Sequence, residues 1–389
     1  MDEDAGGDPE GPPGQGQGAQ PSCGQEADRG PEGRGLRDDS GDLRRPRGPQ
    51  GSQDGPSLRL QTERRTLLTR SLARLPKVEL HLHLEGCLTP SEAVFLARRC
   101  PRAKAAGEIA PLYRHASFAE FLRHFGALLD LLRGPEDLVW LFRRTAARLR
   151  RQNVLHAEIR VSPSVWERHG LDPHACLKGL LEEAGRAPLS VLFVLDAVRQ
   201  WDRSLLARDL DLALEHRRDG IRALGLGGDE KAAPAGLFRD LAAACRAARL
   251  PVLPHAGEVG GADEVVSALE VFEPPRVGHG IGAAEDPASL ETVVRSGVHL
   301  EVCPTSNRRT GAVPRGRRHP LPDLWRSGAR LSLNTDDPAL FATTLNRELA
   351  WAAARAGWTL QDAARSQRLA ARASLLPPGP RRDLEARLW

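Results

Sequence analysis

His81-Leu82-His83 places two imidazoles two residues apart. On an extended strand that spacing sends both rings to one side, where they can share a metal ion. Two further positions extend the set, His255 in the run His-Ala-Gly-Glu and Asp336 in Asn-Thr-Asp-Asp-Pro. Three imidazoles and one carboxylate suit Zn²⁺ better than Ca²⁺ or Mg²⁺, and non-haem iron is also compatible with this ligand type. A catalytic zinc keeps one position for water and lowers that water's pKa to roughly 7, so the chemistry implied is hydrolysis at neutral pH. Such chemistry needs a proton donor and a group that orients the attacking oxygen. Glu258, three residues after His255, is the candidate acid, and His279, between Gly278 and Gly280, is the candidate to hold hydroxide. A second metal ligand is the alternative role for His279.

These residues need a scaffold that gathers them. Short β-type runs at 77–83, 154–162, 190–198, 221–227, 251–255, 276–281, 298–303 and 329–334 alternate with stretches of helical period at 117–132, 135–151, 173–184, 204–217, 234–248 and 286–296. That alternation is the pattern of parallel strands joined by crossover helices. A longer insertion follows the first strand, and 338–356 and 360–373 read as closing helices. The polar residues decide between a doubly wound sheet and a barrel. Nearly every run carries its chemistry toward its C-terminal side, and a closed (β/α)₈ TIM barrel brings all those ends to one mouth. Binuclear hydrolases on such barrels usually bridge their metals with a carboxylated Lys on the fourth strand, and the run 221–227 contains no Lys. One zinc per chain is therefore expected.

Composition sets the limits of the folded part. Residues 1–57 hold 14 Gly and 8 Pro, with Leu36 and Leu43 as the only large aliphatic side chains beyond Met1. Too little apolar surface is available there to offset the entropy of ordering, so a disordered tail is expected over 1–57, a linker or helical lead-in over 58–74 and the barrel domain over 75–389. The tail carries 12 acidic residues against 6 Arg, in a chain of net charge +4, so the body is basic. Its basic residues are spread along the chain and aromatic content is 4%, which argues against a nucleic-acid platform. The six Cys are scattered singly without a C-x-x-C pair, so reduced thiols are the expectation. No basic n-region leads into an apolar stretch, and no run of 18 apolar residues occurs. A soluble, cytoplasmic protein with no membrane or nucleic-acid partner is expected.

In order and at comparable spacing, KVELHLHLEG (77–86), LGGDE (226–230), HAGE (255–258), GHG (278–280), CPTSN (303–307) and SLNTDDP (332–338) resemble the adenosine deaminase family, over about residues 75–380. The resemblance implies a zinc-dependent hydrolytic deaminase of a small purine nucleoside, with His81, His83, His255 and Asp336 as the ligands. It further implies attack of zinc hydroxide on C6 of an aminopurine, Glu258 protonating N1, His279 positioning the hydroxide, Asp337 bonding N7 and the Gly228 amide bonding N3. Ammonia leaves. The residues support the same roles on their own terms, because addition at C6 puts negative charge on the ring, and an acid at N1 stabilises the transition state more than the ground state.

Two features bear on substrate. Adenosine deaminases commonly carry Asp at the position of Glu85, against the ribose 5′-hydroxyl, whereas relatives acting on adenine or 6-aminodeoxyfutalosine carry Glu. The adenine-specific relatives usually lack the Gly-Asp-Glu present here at 228–230. Glu85 is expected to point into the mouth near the sugar. An adenosine-type nucleoside is the expected substrate, with 6-aminodeoxyfutalosine and then adenine as alternatives. A two-metal hydrolase of another cyclic amidine and an inactive binding barrel are the rival readings. His156-Ala157-Glu158 imitates the H-x-E of another zinc deaminase plan, but no P-C-x-x-C follows it. Glu158 is instead expected to pair with Arg160 inside the barrel.

Overall fold

The computed structural model describes residues 56–99, 106–115 and 117–388. The expected disordered tail therefore lies outside the described residues except for Pro56 and Ser57, which already belong to a helix, Pro56–Arg74. Parallel strands β1 (Lys77–His83), β2 (Val154–Val161), β3 (Ser190–Val198), β4 (Ile221–Gly227), β5 (Val252–Ala256), β6 (Arg276–His279), β7 (His299–Val302) and β8 (Arg330–Leu333) follow one another around the sheet in chain order. The seam between β8 and β1 is closed at the top. His83 donates its backbone N–H to Asp336 O and Asp336 donates to His81 O, each at 2.9 Å. Lower down, side chains stand in for the missing ladder. Leu80 N–H donates to Asn334 Oδ1 at 2.9 Å, and Val78 N–H to Gln367 Oε1 at 2.7 Å. The barrel expected from the position of the polar residues is the fold observed.

The insertion after β1 supplies the helices Pro90–Ala97, Phe118–Leu129 and Pro135–Arg151, with a short turn of helix at Ala106–Ile109. Phe118–Leu129 is capped by Ser117, whose hydroxyl accepts from Glu120 N–H at 3.2 Å. Its apolar residues recur at helical spacing and lay one face over the barrel mouth. Boundaries differ from expectation where loops must turn. β6 stops at His279 because Gly280 takes φ +68°. The expected helix over 338–356 begins only at Leu345, capped by Thr344, because the residues after Pro338 close into turns, with Thr343 N–H donating to Pro338 O, and are tied to the β1 loop by Ala339 N–H donating to Gly86 O. Helices Leu345–Arg355, Leu360–Ala373 and Pro378–Ala386 close the chain. Among the described residues no helix is long and apolar enough to cross a membrane.

Inside the barrel the core is charged. His156, Glu158 and Arg160 all lie on the interior face of β2 and are fully buried, but the expected pair of Glu158 with Arg160 is not formed. Side chains two apart on a strand start about 6.6 Å apart; His156 Nε2 still meets Glu158 Oε1 at 3.3 Å, while Glu158 and Arg160 each reach across the barrel to a partner of opposite charge. Glu158 meets Arg276 at 2.5 Å, Arg276 meets Glu301 at 2.5 Å, Glu301 meets Arg160 at 3.0 Å, and Arg160 meets Asp196 at 2.7 Å. Signs alternate along the whole chain, which is what burial demands of charges. Arg276 also donates to Ala373 O at 2.7 Å, and Leu375 N–H donates to Glu158 at 2.5 Å, so the end of the Leu360–Ala373 helix is tied to the same network. Arg276→Leu would remove the only guanidinium that meets buried Glu158 among the described residues, and one of the two that meet Glu301. The variant should lose about 3–5 kcal/mol of stability in urea unfolding, whereas a loss under about 1 kcal/mol would mean that water reaches these groups.

Candidate active site

β1 delivers His81 and His83 to the C-terminal end of the barrel, β5 delivers His255, and the turn after β8 delivers Asp336. Their ligand atoms all lie within 4.8 Å of one another. His81 Nε2 is 3.0 Å from His255 Nε2, and Asp336 Oδ1 is 3.4 Å from both His81 Nε2 and His83 Nε2. The far sides of two rings define their protonation. His81 Nδ1 bonds Glu301 at 2.7 Å and His255 Nδ1 faces Leu226 O at 3.3 Å, so in the neutral rings both Nδ1 atoms carry the hydrogen. The Nε2 atoms then confront each other as two lone pairs. Such an arrangement is unfavourable unless a cation lies between them, so the four residues fit a bound metal. Burial opposes charge on Asp336, but the His81 contact and the surrounding imidazoles outweigh it and hold the carboxyl well below its usual range.

Asp336 has φ +62° and His279 φ +61°. These are costly conformations for residues with a Cβ, and they persist because the neighbouring bonds over-determine them. In Asp336 both backbone groups are taken by β1, while its Oδ2 accepts from Ser306 Oγ at 2.6 Å.

Glu258 is held by a residue from the preceding loop. The Glu230 carboxylate accepts N–H groups from Gly257, Glu258, Val259 and Gly260 at 3.0, 3.0, 3.3 and 2.7 Å, and so pins the turn that carries Glu258. Thr310 Oγ1 lies 3.2 Å from Glu258 Oε1. Burial, then the charges of Asp336 and Glu230, pushes the Glu258 carboxyl well above its usual range. The protonated form is thereby favoured. His279 Nε2 stands 3.5 Å from Glu258 Oε2, and burial lowers its imidazole to about 3.

These groups line a cavity of about 240 Å³. One wall is the apolar face of Phe118–Leu129, with Phe118, Phe121, Leu122 and Phe125 turned toward it, and Trp201 lies among the other lining residues. Asp196, Gly228, Asp336 and Asp337 also face the space, and among the described residues no Lys or Arg lines it. Gly228 has φ +99°, and a Cβ there would fall 2.2 Å from Gln200 Oε1, so only glycine lets the backbone pass. Asp337 is buried with Oδ1 unpartnered, and burial, then Asp336, raises its carboxyl well above the usual range.

The structure thus brings together His81, His83, His255, Glu258, His279, Asp336, Asp337 and Gly228. Glu85 stands apart from the cavity. Its Oε1 accepts from Ser162 N–H at 3.1 Å and Trp166 Nε1–H at 2.7 Å, behind the wall where Ser162 and Val165 face the cavity. Its Oε2 is buried without a partner, and burial pushes its carboxyl up to about 7. Sequence reasoning missed Glu301, Glu230 and Asn307 as supports. Each lies within or next to a motif singled out above, but its partner is 28 to 220 residues away in the chain.

Residues 76–388 match the family model described as adenosine deaminase. The chain is 35% identical over 297 residues to an aminodeoxyfutalosine deaminase of Acidothermus cellulolyticus, covering 73% of this chain and 83% of that one. It is 33% identical to an adenine deaminase of Zymomonas mobilis, covering 72% and 85%. Among solved structures it resembles the adenine deaminase of Arthrobacter aurescens, with TM-score 0.75 and 27% identity, covering 81% of this chain and 98% of the other. An Arabidopsis N6-mAMP deaminase shares the fold, with TM-score 0.75 at 22% identity, covering 82% and 98%. The chain belongs to the adenosine deaminase family, hydrolytic deaminases that act on carbon–nitrogen bonds.

Proposed function

We propose that the protein is a zinc-dependent deaminase of a 6-aminopurine nucleoside, releasing ammonia and leaving the 6-oxo product. The observation that carries this reading is the convergence of three imidazoles and one carboxylate, their ligand atoms within 4.8 Å of one another, with the Glu258 carboxyl 3.5 Å from His279 at the same mouth. His81, His83, His255 and Asp336 would hold the metal, and nitrogen-rich ligation with one carboxylate favours zinc. When bound, zinc supplies Lewis-acid activation of water at neutral pH. Glu258 gives its proton to N1 as negative charge develops on the ring. His279 holds the incoming oxygen over C6. Asp337, protonated, donates to N7, and the Gly228 N–H faces N3. The purine lies against the apolar wall, which shields the site from bulk water and strengthens each of these contacts.

The lining also bears on the sugar end. A 5′-phosphate would meet carboxylates and no cation, so nucleosides are favoured over nucleotides. A second reading, a nucleoside extended at its 5′ end as in 6-aminodeoxyfutalosine, draws support from the aromatic face of Phe118–Leu129 and from the relative in Acidothermus; adenine follows. Glu85 acts on the sugar through the Ser162–Trp166 wall that it anchors.

A panel of adenosine, 6-aminodeoxyfutalosine, adenine and AMP, followed by the aminopurine-to-hydroxypurine spectral change, tests the assignment. One of the first two should be the best substrate, with AMP at least about 10²-fold lower in kcat/KM; preference for AMP would overturn the nucleoside reading. Purified protein should hold one tightly bound zinc per chain, and removing it with a chelator should abolish turnover until zinc is restored. Two tightly bound metals in the active protein would contradict this. Glu258→Gln should retain zinc and lose about 10²–10⁴-fold in kcat, and parent-like kcat would remove Glu258 from the mechanism.

A further inference from the structure

Leu321 donates its backbone N–H to His319 Nδ1 at 3.0 Å. A main-chain amide can only donate, so Nδ1 is the unprotonated ring nitrogen of His319 and Nε2 carries the hydrogen. Burial, then the charge of Arg308, pushes this imidazole down to about 3, so the ring is neutral near pH 7. Its Nε2 lies 3.3 Å from Asn307 Oδ1, the acceptor that such a hydrogen requires. The two ends of a carboxamide have the same shape, and here the His319 contact decides which end faces which ring. The Asn307 NH₂ group consequently points the other way, where Nδ2 sits 3.0 Å from His279 Nδ1. By the same rule His279 Nδ1 accepts, and its hydrogen lies on Nε2. All three side chains are buried, so water does not compete for these bonds.

We infer that His319 and Asn307 are positioning residues that hold His279 in its Nε2–H tautomer. The use of that tautomer rests on the deaminase reading above. His279 Nε2 has no hydrogen-bond partner among the described residues and stands 3.5 Å from Glu258 Oε2 and 3.9 Å from Asp336 Oδ2. It faces the space where an attacking oxygen must sit. An N–H there donates to that oxygen and turns another of its lone pairs toward C6. The opposite tautomer would present a lone pair, which repels the oxygen and could recruit a second metal. His279 is thereby a donor and not a ligand, and the choice is made by a backbone amide at the far end of a three-link chain.

Asn307→Asp tests the relay with almost no change of shape. A carboxylate accepts on both sides, so it still takes the His319 hydrogen but requires His279 to donate from Nδ1, which strips Nε2. With zinc loaded, kcat on the best purine substrate should fall about 10²–10⁴-fold, as for a group holding its proton on the wrong nitrogen. KM should move less than about threefold, and one zinc per chain should remain. In ¹⁵N-histidine spectra the two His279 nitrogens should exchange protonated and unprotonated character. His319→Gln places an oxygen for Leu321 and an NH₂ for Asn307, and should keep kcat within about threefold of the parent, whereas His319→Leu should not.

The relay is overturned by an unchanged His279 tautomer or parent-like kcat in Asn307→Asp. It is also overturned by loss of zinc there, which would make Asn307 a support of the metal cluster, or by His319→Gln as impaired as His319→Leu, which would make the position one of packing alone. A parent protein that turns over no purine would defeat the deaminase reading, and the spectra would still decide the tautomer.

Discussion

Glu301, fully buried on β7, lies 2.7 Å from His81 Nδ1 and in contact with both Arg160 and Arg276. Burial disfavours its charge, but the two guanidinium groups outweigh that cost and hold the carboxyl well below its usual range. It therefore stays ionised and keeps the hydrogen of His81 on Nδ1, which leaves Nε2 free for a metal. The constraint behind this contact is that no charge can stand alone in a closed barrel. Arg276 needs Glu158 as well as Glu301, Arg160 needs Asp196, and Asp196 faces the substrate cavity. Neutralising the core and orienting the imidazole of His81 toward the cluster are the same set of bonds.

The loops above the strands follow a second rule, that each chemical group is held by an anchor from another loop. Glu230 gathers four N–H groups around Glu258, Ser306 holds Asp336, and Asn307 faces His279. Such anchors sustain positive φ at His279 and Asp336, conformations that neither residue would choose in isolation. The result is a mouth whose donors and acceptors are set before substrate arrives, which is the condition for electrostatic stabilisation without reorganisation. The helix Phe118–Leu129 adds the complementary element, an apolar, largely aromatic face along one wall of the cavity.

Much of this was legible in the sequence. Alternating strand and helix periods gave the count and order of β1 to β8, and the polar residues at the run ends pointed to closure at a single mouth. The cluster of candidate ligands was legible for a local reason: His81 and His83 share a face by strand alternation, and His255 and Asp336 sit in short polar runs at other strand ends. Glu85 was less legible. Two residues beyond a ligand implies the mouth only if the strand continues, and the chain instead turns into a short 3-10 segment at Glu85–Cys87 that carries the carboxylate behind the wall. Glu158 misled for a related reason, since the guanidinium that meets it, Arg276, comes from a distant strand.

What the sequence determined by itself was therefore whatever depends on local geometry: strand and helix periods, the face on which a side chain emerges, and the residue types able to bind a metal or move a proton. Tertiary structure alone decided the partners. The pairing of Glu158 with Arg276, the pinning of Glu258 by Glu230 and the contacts of Asn307 with His319 and His279 span 118, 28, 12 and 28 residues. Hydrogen bonds act over about 3 Å, and only closure of the barrel brings groups so distant in sequence within that range.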